Sequence, residues 1–433
     1  MNFLLANLLI MLLTGLGLLS CQPLLEQGDE NPTSAVITVV PKQDHTPFYA
    51  RFATSADRIL VTAPRHSKLG IPVQIKQGKS LHYAELMNAN APKISGEIFR
   101  QDRLAIFEAK SEEEAHESAT AVDQFAHTRQ IDLKNLHTPS SNQTFKNLNN
   151  HTGNSLITSG IEIDSARMRA DLEALSGAKP IFLEGQEFLL SNRATSENKT
   201  KARRWLTKSF EDLGYKVSEH RYGSGTNLIA EKAHNNVKDR QIFMVTAHLD
   251  SVQTAGADDD ASGVISALSI ARALSAKTLD HTLRFVAFDE EERGLLGSAA
   301  YAKHLASIGE IQRVSVLNLE MTGYDSDNNG EFHTIDCNEN ESGSLSEVLM
   351  ATIGSEQIAL SKVQACTNRS DHAVFWNYDR PAIVISQNFF GGDGNPCYHR
   401  SCDTVAKINF EYMEKITQAV ANTVYRLIAN TSE

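Results

Sequence analysis

Ile242-Phe243-Met244-Val245-Thr246-Ala247-His248-Leu249-Asp250 is an apolar run of strand length that ends on a histidine and an aspartate. Short runs of this kind suit strands buried on both faces of a sheet. Residues 314–319 and 382–385 have the same character, and 282–288 is rich in β-formers. Helical patterns lie between and around them at 200–213, 262–276 and 298–306. A closing helix at 410–428 places Met413, Ile416, Val420, Val424 and Leu427 on one face. This alternation predicts an α/β fold whose mostly parallel central sheet is sandwiched by helices. Such sheets carry their functional residues in loops beyond the carboxyl ends of the strands.

Upstream, 35–40 and 58–63 read as strands and 109–126 as a charged helix, giving a smaller N-terminal α+β domain. Residues 128–160 are rich in Asn, Thr, Ser and His and read as a polar linker. The chain therefore divides into a signal peptide at 1–21, an accessory or propeptide-like domain at 22–127, the linker at 128–160 and a main domain at 161–433. Residues 3–19 are uncharged and almost wholly apolar, and Leu18-Leu19-Ser20-Cys21 resembles a lipobox. Export to a cell envelope, with Cys21 as a candidate lipid anchor, is the expectation; plain secretion and a single short membrane anchor are the alternatives. The other four cysteines suit two disulfides with three pairings. Cys397 and Cys402 are close enough to pair locally, which would leave Cys337 with Cys366. A net charge of −12 argues against a nucleic-acid partner. Oligomeric state is not legible.

Polar clusters follow the strands. His248-Leu249-Asp250 comes first, then Asp258-Asp259-Asp260 opening a helix, Asp289-Glu290-Glu291-Glu292 and Glu320-Met321, with a late His399. Singly, each has an ordinary reading: three aspartates can cap a helix, and a glutamate run can be a solvated face. Together they crowd acidic groups at one sheet edge, and repulsion there is relieved by divalent cations. Mixed histidine and carboxylate ligands suit zinc.

The stretches AHLDS (247–251), GADDDASG (256–263), DEEERGLLGS (289–298), NLEMTGY (318–324), SDHAVFW (370–376) and NPCYHRSCDT (395–404) resemble the bacterial leucyl aminopeptidase family of co-catalytic dizinc peptidases. Its superfamily includes glutamate carboxypeptidases and glutaminyl cyclases. The resemblance implies two zinc ions per chain and peptide substrates. It implies that His248, Asp259 and Glu320 hold one ion and that Asp259, Glu292 and His399 hold the other. Asp259 rather than Asp258 is the implied bridge, with a cis peptide between Asp259 and Asp260. Asp250 is implied to orient His248, and Glu291 to act as general base, with Glu290 the next candidate. Asp371 and His372 are candidates for substrate contact. So are Met321, Phe389 and Phe390, with Phe375 and Trp376 as further apolar surface for a large hydrophobic side chain.

The implied activity is release of N-terminal residues. A carboxypeptidase or dipeptidase on the same centre is the alternative, for which Arg369 and Arg400 would bind the substrate carboxylate. A non-catalytic envelope binding protein would have lost a ligand or the base, and none is lost. Three features depart from the family pattern: Glu320 stands where Asp is usual, Cys366 lacks a local partner before the SDH stretch, and the first 160 residues fall outside the resemblance.

Overall fold

The computed structural model describes residues 160–233 and 241–429 throughout, and between 34 and 130 the elements named below with some of their turns. The signal segment, Cys21 and residues 131–159 lie outside the described residues. Among the described residues no helix is long and apolar enough to cross a membrane.

The main sheet has eight strands: β1 (Lys216–Tyr222), β2 (Gly225–Lys232), β3 (Ile242–His248), β4 (Thr282–Phe288), β5 (Val314–Glu320), β6 (Glu331–Ile335), β7 (Ser361–Lys362) and β8 (Ala382–Gln387). Their spatial order is β1-β2-β4-β3-β5-β8-β6-β7. The four central strands, β4-β3-β5-β8, run parallel, while β2 and β6 join them antiparallel. The register sets His248 beside Phe288 and Glu320 beside Ser386. The carboxyl ends of β3, β4 and β5 therefore open along one edge, which is where the acidic clusters begin.

The helices are α1 (Ser165–Leu175), α2 (Ser196–Asp212), α3 (Ala261–Leu274), α4 (Leu296–Ser307), α5 (Ser342–Ser355), α6 (His372–Trp376) and α7 (Phe410–Ile428). Alternate residues of β3 face opposite layers. Phe243, Val245 and Ala247 pack with apolar residues of α1, α2, α3, α5 and α7; Ile242 and Met244 pack with those of α4 and α6. Each fully buried side chain of this size contributes about 1.5–3 kcal/mol. Burial on both faces explains why β3 and β4 read as continuous apolar runs rather than alternating ones.

The N-terminal region holds two four-stranded sheets. The first contains Ser34–Pro41, Phe52–Ser55, Arg58–Ala63 and Ile71–Gln74. The second contains Ser80–Glu85, Glu97–Gln101, Leu104–Ala109 and His127–Gln130, with a helix at Glu112–Thr120. Ala84, Ile94, Ala105, Phe107, Ala109, Ala115 and Ala119 form its small core. The helix is shorter than the charged stretch suggests: Ala109 closes the strand Leu104–Ala109, and residues 121 and 122 form a turn. The polar segment expected from 128 begins inside a strand, since His127–Gln130 also pairs with Ser80–Glu85.

Candidate metal centre

The three consecutive aspartates sit in three different surroundings. Asp260 caps α3: its Oδ1 accepts from Gly263 N at 3.0 Å and Met321 N at 3.0 Å, and its Oδ2 from His248 N at 3.1 Å. Asp258 is equally occupied, accepting from Gly323 N, Gln387 Nε2 and Asn395 Nδ2, each at 2.9 Å. The peptide between Asp259 and Asp260 is cis. Asp259 turns its carboxylate the other way, into the cleft. Its Oδ1 lies 3.1 Å from His248 Nε2 and its Oδ2 lies 3.2 Å from His399 Nε2.

Two more carboxylates complete the pattern. Glu320 Oε1 lies 3.3 Å from His248 Nε2, and Glu292 Oε2 lies 2.9 Å from His399 Nε2. Each imidazole nitrogen thus faces two carboxylate oxygens, and Asp259 divides its pair between the two sets. A triad of His248, Asp260 and Glu320 is also compact enough for an ion. The hydrogen bonds already made by Asp260 favour Asp259 as the ligand.

The turn after β4 separates its acids by direction. Asp289 lies 2.7 Å from Lys199 Nζ and accepts from Thr226 N at 3.0 Å. Glu290, at φ 59°, turns away to Ser224 Oγ at 2.6 Å and Arg293 Nη1 at 2.7 Å. Both therefore point away from the imidazoles, and Glu290 is badly placed to replace Glu291 as a base. Glu291 and Glu292 face inward, their amides donating to Asp250 Oδ1 at 3.1 Å and Oδ2 at 3.2 Å. Asp250 reaches His248 Nδ1 mainly through its backbone carbonyl, at 3.0 Å, its carboxylate being 3.6 Å away. Its side chain is spent chiefly on holding the Glu291–Glu292 turn.

Burial, reinforced by Glu320, Asp371 and Glu292 against the opposing pull of His248, holds the Glu291 carboxyl well above its usual range. Burial works against protonating His399, but Glu292 and Asp259 push it up to about 10. For His248 burial is likewise outweighed, by Glu320, Asp250 and Asp259.

Several supports were not singled out in the sequence. Thr246 Oγ1 donates to Asn318 Oδ1 at 2.6 Å, Asn318 Nδ2 to Ser370 Oγ at 2.7 Å, and Ser370 Oγ to Glu320 Oε2 at 2.6 Å. Asp403 accepts from the amides of Asp258 and Asp259 at 3.0 and 3.1 Å. Ser370 and Asp403 lie inside the quoted SDH and NPCYHRSCDT stretches, which was their only signal. Disulfides join Cys397 to Cys402 and Cys337 to Cys366, and the first brackets His399.

The candidates for substrate contact divide. Met321 is buried at the end of β5, and Asp371 is buried with its pKa pushed up to about 7, chiefly by that burial. The His372 ring packs edge-on to Trp376, with Nε2 3.2 Å from Thr367 O. Phe389 meets the Tyr398 ring edge-on, and Tyr398 stacks on His399 with centroids 3.9 Å apart. Phe390 is 44% exposed. Phe375 and Trp376 are core instead: Phe375 packs near Phe288, and Trp376 Nε1 donates to Ala382 O at 3.0 Å. Their helix α6 turns them toward the sheet. Arg369 is half-buried and Arg400 exposed.

Residues 227–424 match the family model described as Peptidase family M28. That stretch is similar to peptidases of family M28. Aminopeptidase YwaD of Bacillus subtilis is 34% identical over 211 residues, covering 47% of this chain and 44% of that protein. Leucine aminopeptidase 2 of Trichophyton rubrum is 32% identical over 227 residues, covering 46% of this chain and 44% of that protein. The chain thus spans about half the length of the curated relatives it matches. The crystal structure of Legionella pneumophila LapA aminopeptidase shares the fold, with a TM-score of 0.61 at 20% identity over 81% of this chain and 99% of that one. That share exceeds what residues 161–433 alone can supply, so the likeness in fold extends upstream of them.

Proposed function

We propose that this chain is an aminopeptidase that releases residues from free peptide N-termini, using two zinc ions. The observation that carries the reading is the divided carboxylate of Asp259, with one oxygen turned to each imidazole–carboxylate set. The residues fit such a pair of cations. Several buried carboxylates converge with only two imidazoles between them, and Glu292 Oε1 is buried without a hydrogen-bond partner. His248, Asp259 and Glu320 would hold one ion, and Asp259, Glu292 and His399 the other. Bound there, the zinc pair supplies Lewis acidity that polarises the scissile carbonyl and lowers the pKa of water.

The chain's own residues do the rest. Glu291 accepts the proton of the attacking water and passes it to the leaving amine. Asp250 holds the turn that keeps Glu291 and Glu292 side by side with different aims. Met321, Asp371, Phe389 and Phe390 border the substrate, with His372 supporting the wall behind them, and a large hydrophobic side chain suits that lining. The relatives named as aminopeptidases support this reading. Two disulfides fit an exported protein whose apolar N-terminal segment serves as its signal, with Cys21 the site of a lipid anchor.

Elemental analysis combined with an assay tests the proposal. The purified chain is expected to hold two divalent ions and to hydrolyse leucyl arylamides. Chelation should abolish the activity and zinc restore it. One ion or none after zinc reconstitution, or activity indifferent to chelation, would reject the proposal.

A further inference from the structure

Arg193 lies on the segment leading into α2, outside the residues matched by the family model. Its side chain is fully buried, at 0% exposure. Nε donates to Leu249 O at 2.7 Å, Nη1 to Ala255 O at 2.8 Å and to Leu175 O at 3.4 Å, and Nη2 to Gly256 O at 2.9 Å. The Arg193 amide also donates to Ser251 Oγ at 2.9 Å. Four of these five acceptors belong to residues 249–256, the loop that joins His248 and Asp250 to Asp258–Asp260. One planar guanidinium therefore fastens both ends of the loop at once.

The loop is shaped to receive it. Gly256 has a φ of +57°, and a Cβ there would come within 2.4 Å of Asp259 O and 3.0 Å of Arg193 Nη2. The surroundings are acidic as well. Burial draws the pKa of Arg193 below its ordinary value, against the opposing pull of Asp260, Asp403, Asp259 and Asp250. An ammonium cannot imitate this arrangement, since a point charge lacks the rigid fork that reaches carbonyls in divergent directions.

We propose that Arg193 is a positioning residue of the metal centre: it fixes the 249–256 loop so that His248 and Asp259 face each other before any cation arrives, and it supplies a positive charge near the carboxylates of Asp250, Asp259 and Asp260. This rests on the metal reading given above. Groups that orient ligands from outside the coordination sphere typically change metal affinity 10–100-fold when lost.

The test uses the full chain with Arg193→Lys and Arg193→Met, measuring zinc affinity by chelator competition and thermal unfolding of the zinc-free protein. Arg380→Met is the control. Arg380 is also a buried guanidinium bonded to a backbone carbonyl, Val314 O at 3.1 Å, but at the far end of β5 from Glu320. Zinc affinity is expected to fall at least ~10-fold in Arg193→Lys, whereas Arg380→Met should lose thermal stability and keep its affinity. If Arg193→Met does not fold, Arg193→Lys decides. A folded Arg193→Lys with the parent's affinity overturns the inference, and so does an equal loss of affinity in Arg380→Met. A parent that binds no zinc instead rejects the metal reading itself, and the inference with it.

Discussion

Asp258, Asp259 and Asp260 show how little the identity of a side chain determines by itself. Amides and backbone N–H groups consume Asp258, the start of α3 and the amides of His248 and Met321 consume Asp260, and only Asp259 faces the imidazoles. Asp259→Asn should therefore cost both ions and nearly all activity. Asp258→Asn should retain both ions and lose stability instead: Oδ1 accepts from Gly323 N and Oδ2 from both Gln387 and Asn395, and an amide has one oxygen, so its NH2 must face one of these donor sets. Metal content measured beside thermal unfolding separates the two variants, and equal metal loss in both would contradict the assignment. Glu291→Gln preserves size but cannot take a proton. Turnover is expected to drop by at least ~10²-fold with metal content unchanged, and near-normal turnover would leave the base unidentified. The acidic run was legible as a cluster, but the different surroundings of its members were not, because partners such as Asn395 and Asp403 lie far along the chain.

At the scale of elements, what was legible follows burial. The apolar runs of β3, β4, β5 and β8 and the one-sided stripe of α7 are imposed by the core, so sequence alone located them. The β1–β2 hairpin is an outer element with a mixed burial pattern, and its sequence carries no comparable signature. Helix α5 is framed by Ser and Gly that hide the spacing of Leu345, Leu349 and Ile353. Arg193 was invisible for another reason, since its acceptors at 249–256 are brought to it by the fold. The 395–404 loop has a constraint that could be read locally, the short Cys397–Cys402 spacing. Mass mapping of oxidised protein should find this pair linked. Cys402→Ser should loosen the turn holding His399 and weaken zinc binding, because a ligand on a mobile loop pays ordering entropy on coordination. Unchanged affinity in that variant would mean that the Tyr398 stack and the 395–398 turn suffice.

For the molecule as a whole, charge is the guide to which end of a peptide enters. The chain carries a formal net charge of −12, and its candidate centre is lined by Asp259, Glu291, Glu292 and Glu320. A positively charged amino terminus is attracted to such a cleft, whereas a C-terminal carboxylate needs a cation to receive it. Arg400 is exposed on the His399 loop. Arg369 is half-buried before Ser370, and its charge reaches the Tyr398 phenol, where burial and the carboxylates outweigh it. The balance favours the amine. Leucyl and phenylalanyl arylamides should be cleaved and peptides with free N-termini shortened stepwise, while N-acetylated peptides resist. Timed mass spectrometry of one peptide in free and acetylated forms reads the direction directly. Faster loss of C-terminal residues from the acetylated form would transfer the reading to a carboxypeptidase. Arg369→Ala would then raise KM with little change in kcat, because a residue that only holds the substrate's carboxylate contributes equally to the ground and transition states.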